Sequence, residues 1–203
     1  PPRSTLFPYT TLFRSYDNFK FFTIAQIKGL KDRTLTMNGV SKSYAMTGWR
    51  IGYGAATKEI IEAMAKLQSQ STTNPSSISQ AAAVEALNGN QDFMLKRNQT
   101  FKERRDFVVE ALNKIEGISC LKPNGAFYVF PNCLKFLNKK DKTGKIIKND
   151  SDFVNSLLEN YQVAVVQGSA FGLEGYFRIS YATSMDVLKK ALDRISNFCK
   201  SLG

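Results

Sequence analysis

Residues 39–52 constrain what this chain can fold into more than any other stretch. Before them, Arg33-Thr34-Leu35-Thr36-Met37-Asn38 alternates and is β-prone, which predicts a strand. After them, residues 50–56 predict a second strand, with Gly52 and Gly54 where another backbone or a ligand comes close. A short loop of small residues therefore joins two strands. Lys42 sits in that loop, and Arg50 follows where the chain turns back into the sheet. The neighbours of Lys42 are small or apolar, which predicts that it is partly buried. Burial disfavours an ammonium group and lowers a lysine's pKa from its usual value of about 10.4.

A neutral amine attacks a carbonyl, so Lys42 is a candidate Schiff-base lysine. Arg50 offers a planar fork of donors suited to a phosphate. A lysine for an aldehyde and an arginine for a phosphate together point to pyridoxal phosphate. The run Ser41-Lys42-Ser43-Tyr44-Ala45-Met46-Thr47-Gly48-Trp49-Arg50-Ile51-Gly52-Tyr53 resembles the cofactor-lysine signature of class I aminotransferases, and is closest to the bacterial aspartate aminotransferase branch. The resemblance extends from about Tyr16 to the C-terminus. The bland alternative is an ordinary surface lysine in a loop.

The resemblance implies an α/β fold: the C-terminal part of a large cofactor-binding domain, a small C-terminal α/β lobe and a long helix joining them. It implies a transaminase that moves an amino group from an amino acid to a 2-oxo acid, with aspartate and 2-oxoglutarate as the preferred pair. It assigns Lys42 to catalysis and to cofactor attachment, and Arg50 to the cofactor phosphate. Ser41 either hydrogen-bonds that phosphate or caps a local turn. The segment 176–182 is similar to the family motif whose arginine grips the substrate's α-carboxylate, which gives Arg178 that role. Read from its own residues, an arginine inside an alternating apolar strand is costly unless it meets an anion, and a structural salt bridge serves as well as a substrate. Residues 123–129 resemble a turn and strand near the substrate mouth, and 69–76 a loop near the active site at a subunit interface; an ordinary surface loop is the alternative for the latter. A cytoplasmic homodimer is the implied setting.

The family's pyridine-nitrogen aspartate, its ring-oxygen asparagine and tyrosine, and its glycine-rich phosphate segment have no matching positions here. Residues 1–15 contain no acidic residue, nearly repeat Ser-Thr-Leu-Phe as Thr-Thr-Leu-Phe, and do not resemble the family, which marks them as a non-native or divergent leader. Residues 16–110 are then expected to be a partial large domain and 111–203 the small domain. A truncated, inactive piece with exposed apolar surface is one expectation for such a chain.

The 203 residues carry a net charge of +11, with 43% hydrophobic and 22% charged residues. Such a charge admits a basic module that binds nucleic acid. The densest basic run, 139–148, is broken by Thr143-Gly144 and lacks interleaved aromatics, so it reads as a solvated turn, and nucleic acid is not an expected partner. No apolar run approaches the length of a membrane span. The absence of histidine excludes His-based triads and His-containing zinc sites within these residues, and no metal is expected. Cys120, Cys133 and Cys199 are sparse and odd in number, as for small buried hydrophobes in a reducing compartment. Gly52-Tyr53-Gly54 lacks the third glycine of a dinucleotide fingerprint, and Gly144-Lys145 lacks the hydroxyl and upstream glycine of a phosphate loop.

Helices are expected over 57–68, with Ile60, Ile61, Met64 and Leu67 on one face, over a segment ending at Asn88 and opened by a Ser77–Gln80 capping box, and over 92–116, 151–161 and 184–201. The 92–116 helix would be about 36 Å long and contain the domain boundary. Strands are expected at 118–121, 126–130, 163–166 and 176–181.

Overall fold

The computed structural model describes residues 15–203, so the expected leader lies outside the described residues except for Ser15. The chain is α/β and packs as two units that divide between Lys96 and Arg97. That division falls inside a helix; the boundary expected after residue 110 lies further along the same helix.

In the first unit, β1 (Thr36–Gly39) and β2 (Gly52–Ala55) run antiparallel, with Gly39 opposite Gly52. The first strand begins later than expected because Lys31–Arg33 closes a 3-10 turn, which the Thr34 hydroxyl secures by donating to Leu30 O at 2.7 Å. The connection between the strands is not an irregular loop. It holds a one-turn helix, α1 (Val40–Ser43), and a 3-10 turn at Thr47–Trp49. Helix α2 (Lys58–Ser69) follows Thr57, and its apolar stripe contains no buried residue. Helix α3 (Ser77–Asn88) starts after Ser76, one residue earlier than the expected cap. The capping box is absent because Gln80 donates instead to Pro75 O at 2.9 Å.

Helix α4 (Asp92–Asn113) is shorter than the expected 92–116. Its continuation tightens to three-residue bonds, Ile115 N to Leu112 O at 3.0 Å among them, before Gly117. The next residues do not form the expected strand at 118–121. The Asn113 side chain takes both backbone groups of Cys120, donating to its carbonyl and accepting from its N–H, each at 2.9 Å. Only an isolated bridge from Ser119 to Asn132 remains.

The second unit is built on a three-stranded antiparallel sheet of β3 (Tyr128–Val129), β4 (Val166–Gln167) and β5 (Phe177–Ser180), in the order β3-β5-β4. Tyr128 pairs with Ser180 and Val166 with Arg178. The two-residue alternation splits this sheet cleanly. Val129, Phe177 and Ile179 are buried in the core. Helix α5 (Asp150–Tyr161) adds Phe153 and Leu157 to that core, and α6 (Met185–Ser201) adds Leu188, Leu192, Ile195 and Phe198. Both helices have side-chain caps: Asn149 accepts from Asp152 N at 2.9 Å, and Ser184 from Val187 N at 3.3 Å. Tyr128 and Arg178 face the other side of the sheet, half-buried.

All three cysteines are free and buried in this unit. Burial pushes the Cys120 thiol up to about 11 and those of Cys133 and Cys199 up to about 12. Among the described residues, no helix is long and apolar enough to cross a membrane.

Candidate functional site

Two glycines frame the lysine turn. A Cβ on Gly39 would stand 3.1 Å from Ile51 O, and one on Gly52 would stand 3.3 Å from Asn38 O. Side chains there would force the strand ends apart, so the pair lets β1 and β2 close at the base of the turn. Val40, Tyr44, Met46 and Ile51 fill the interior beneath it. The Tyr44 hydroxyl donates to Gln91 Oε1 at 3.2 Å, and its ring meets Phe93 edge-on at 6.4 Å.

One turn of helix decides which way each side chain points. Val40, Ser43 and Tyr44 lie three and four residues apart, share the inner face and are buried. Lys42 falls on the opposite face and is exposed. The expected partial burial of Lys42 is therefore not found: its small and apolar neighbours pack inward, and nothing among the described residues covers its amine. Ser41 is half-buried beside it. The hydroxyl of Ser43, which no pattern in the residues singles out, is buried without a hydrogen-bond partner among the described residues.

Arg50 is exposed and caps the Thr47–Trp49 turn in a left-handed conformation, φ 55° and ψ 44°. A non-glycine residue in that region carries strain of roughly 1–3 kcal/mol. One of its guanidinium nitrogens donates to Thr47 O at 3.0 Å. The outer side of this turn thus carries a hydroxyl, a primary amine and a guanidinium with donors to spare. Such a donor set fits a ligand with an aldehyde and a phosphate.

Arg178 belongs to the second unit, on the outward face of β5. Its guanidinium carbon lies 4.4 Å from the centre of the Tyr128 ring and 4.3 Å from that of Phe171. The Phe171 ring in turn meets Phe130 edge-on at 6.0 Å, and Phe130 stacks on Tyr176 at 5.6 Å with 11° between planes. No hydrogen bond or ion pair engages the Arg178 side chain among the described residues, so a structural salt bridge, the alternative open at the sequence level, is not formed within this unit. Tyr128 lies in the segment expected near the substrate mouth. Phe171 was not foreseen, since it sits in a 3-10 turn, Gly168–Phe171, with no alternation to betray its direction.

That turn is anchored from below. The carboxylate of Asp150, itself buried, accepts from Ser169 N at 2.6 Å. Gly168 could carry no side chain, because a Cβ there would meet Leu173 O at 2.3 Å and Tyr176 O at 2.8 Å. An aspartate at the start of a helix reads in sequence as a dipole-matching surface charge, which is why its buried role escapes notice.

The sequence pattern of the aminotransferase class I and II family matches residues 11–195, beginning somewhat before Tyr16. The aspartate aminotransferase of Rhizobium meliloti is 59% identical over 188 residues, 92% of this chain and 46% of the relative. A probable aspartate/prephenate aminotransferase of Rickettsia typhi is 56% identical over 93% of this chain and 47% of its own length. The crystal structure of the Rhizobium meliloti aspartate aminotransferase superposes with a TM-score of 0.90 at 58% identity, covering 94% of this chain and 48% of that one. An aromatic aminotransferase from Pyrococcus horikoshii does so with a TM-score of 0.82 at 39% identity, covering 93% and 48%. The chain spans about half the length of the curated relatives it matches.

Proposed function

Because the chain belongs to the class I and II aminotransferase family, we propose that it is the lysine-bearing half of a pyridoxal-phosphate transaminase that moves the amino group of aspartate to 2-oxoglutarate. The observation that carries this reading is the outward turn between the paired glycines Gly39 and Gly52, which presents Ser41, Lys42 and Arg50 together on one short connection. When bound, pyridoxal phosphate supplies an aldehyde to receive nitrogen and a ring to take up electrons.

Lys42 Nζ would hold that aldehyde, and the same amine would serve as the general base and acid that handles the proton of the substrate's Cα. Arg50 holds the phosphate through its unused N–H groups, with Ser41 Oγ as a second donor. Arg178 grips the α-carboxylate of the incoming amino acid, a positioning effect. The exposure of Lys42 fits a chain whose relatives have about as many residues again: cover for the amine comes from that remaining length. We read the complete protein as a cytoplasmic homodimer with amino acid and 2-oxo acid as its small-molecule partners.

The test uses the complete protein. With aspartate and 2-oxoglutarate it is expected to yield oxaloacetate and glutamate. Borohydride reduction should then leave the cofactor covalently attached to the peptide containing Lys42, and not in the Lys42→Ala variant. An adduct that persists in that variant removes Lys42 from its role. Turnover of aromatic donors or of prephenate without aspartate overturns the substrate pair.

A further inference from the structure

The bare guanidinium of Arg178 and the two rings around it carry an inference beyond its assignment to a carboxylate, although they rest on that reading. Tyr128 and Phe171 each stand within 4.4 Å of the guanidinium carbon, yet their rings make no contact with one another among the described residues. They therefore flank the group rather than share one side of it. Tyr128 reaches it across the β3–β5 pairing, on the diagonal from Arg178 because its direct partner is Ser180, two residues on, and Phe171 reaches it from the turn held by Asp150 and Gly168. The result is an arginine with an aromatic ring on each of two sides and with no hydrogen-bond or ion-pair partner among the described residues.

We infer that Phe171 and Tyr128 are positioning residues that clamp Arg178 and fix the direction in which its N–H groups meet the substrate's carboxylate. Two physical effects act together. The rings attract the cation through their negative faces. They also hold a side chain that otherwise has many rotamers, so less freedom is lost when the anion arrives. The ring stack from Phe171 through Phe130 to Tyr176 braces the outer half of the clamp, because Phe171 is itself 48% exposed.

The experiment needs neither cofactor nor turnover. In the 203-residue chain, the Arg178 side-chain Nε–H resonance is identified by its loss in Arg178→Lys and followed during titration with acetate. We expect a resonance displaced by ring currents and moved further by acetate. Phe171→Leu and Tyr128→Leu should each bring the free resonance toward the ordinary arginine position and weaken acetate binding roughly three- to tenfold. Phe171→Tyr and Tyr128→Phe should restore both, which separates ring stacking from general damage to the fold. An undisplaced resonance, or acetate binding unchanged in the leucine variants, would each overturn the clamp. Loss of transamination in the complete protein would instead remove the enzymatic reading and leave the acetate result standing, so the two failures are distinct.

Discussion

Asp150 and Ser169 are joined by a 2.6 Å hydrogen bond that spans nineteen residues of sequence, from the first turn of α5 to the turn that carries Phe171. The Asp150 side chain is buried at 1% exposure and Ser169 is half-buried, so the bond is only partly open to water. Removing the acceptor leaves the Ser169 N–H poorly satisfied and costs up to roughly 1–3 kcal/mol. Asp150→Ala is therefore expected to lower the denaturation midpoint and to speed amide exchange at Ser169. Asp150→Asn keeps an acceptor oxygen and should lose less. Equal melting of both variants and the parent would show that the turn does not depend on this bond.

Much of the second unit was legible because its helices repeat. Leu188, Leu192, Ile195 and Cys199 recur at helical spacing, and α6 buries that stripe. The Lys42 turn was not legible as a helix, since four residues are too few to show a period, and its direction set the exposure of the lysine. Strand 118–121 looked sound locally and failed because of one distant-seeming competitor, the Asn113 amide, seven residues upstream. The family signature pointed to Lys42, Arg50 and Arg178 directly. Phe171 lies seven residues before Arg178 in a turn, and no spacing rule connects the two; only the sheet and the Asp150 anchor bring its ring over the guanidinium.

Asp141 is expected to contribute to the acid limit of the second unit. It sits in the basic run at 139–148, which had read as a plain solvated turn, and it is buried at 6% exposure. The Thr143 hydroxyl donates to Oδ1 at 2.6 Å and lowers its pKa most; burial opposes this, and the Ser156 hydroxyl at 2.7 Å with the N–H groups of Thr143 and Lys145 lowers it further, to about 2. A carboxylate depressed below its unfolded value of about 3.9 stabilises the fold above that pH, and the contribution disappears as pH falls toward 2. Melting temperature should drop between about pH 4 and pH 2, and Asp141→Asn should flatten that part of the profile. An unchanged profile in the variant would assign the acid limit to other carboxylates.

The cysteines offer a probe of global opening. Their thiols are held well above the ordinary value by burial, to between about 11 and 12, so almost no thiolate exists near pH 8. Iodoacetamide should leave the native chain unmodified on the timescale that labels a free thiol, and should modify Cys120, Cys133 and Cys199 together once denaturant unfolds the second unit. Mass spectrometry across a denaturant series checks this. Labelling of Cys120 ahead of the other two would reveal that the end of α4 opens separately.

Arg50 sets stability against function. Its left-handed backbone, φ 55°, suits glycine better than arginine, while the exposed bond to Thr47 O that the side chain makes contributes little. Arg50→Gly is therefore expected to leave the chain as stable as the parent or to raise its stability by up to about 1 kcal/mol, the strain relieved offsetting glycine's extra freedom when unfolded. If the guanidinium holds the cofactor phosphate, the same substitution in the complete protein should weaken pyridoxal phosphate binding by at least tenfold, as expected when a charged hydrogen bond of roughly 1.5–3 kcal/mol is lost. Equilibrium dialysis with the cofactor, set beside a denaturant melt, reads both quantities. Destabilisation together with intact cofactor affinity would reverse the argument, showing that Arg50 braces the turn and leaves the phosphate to other donors.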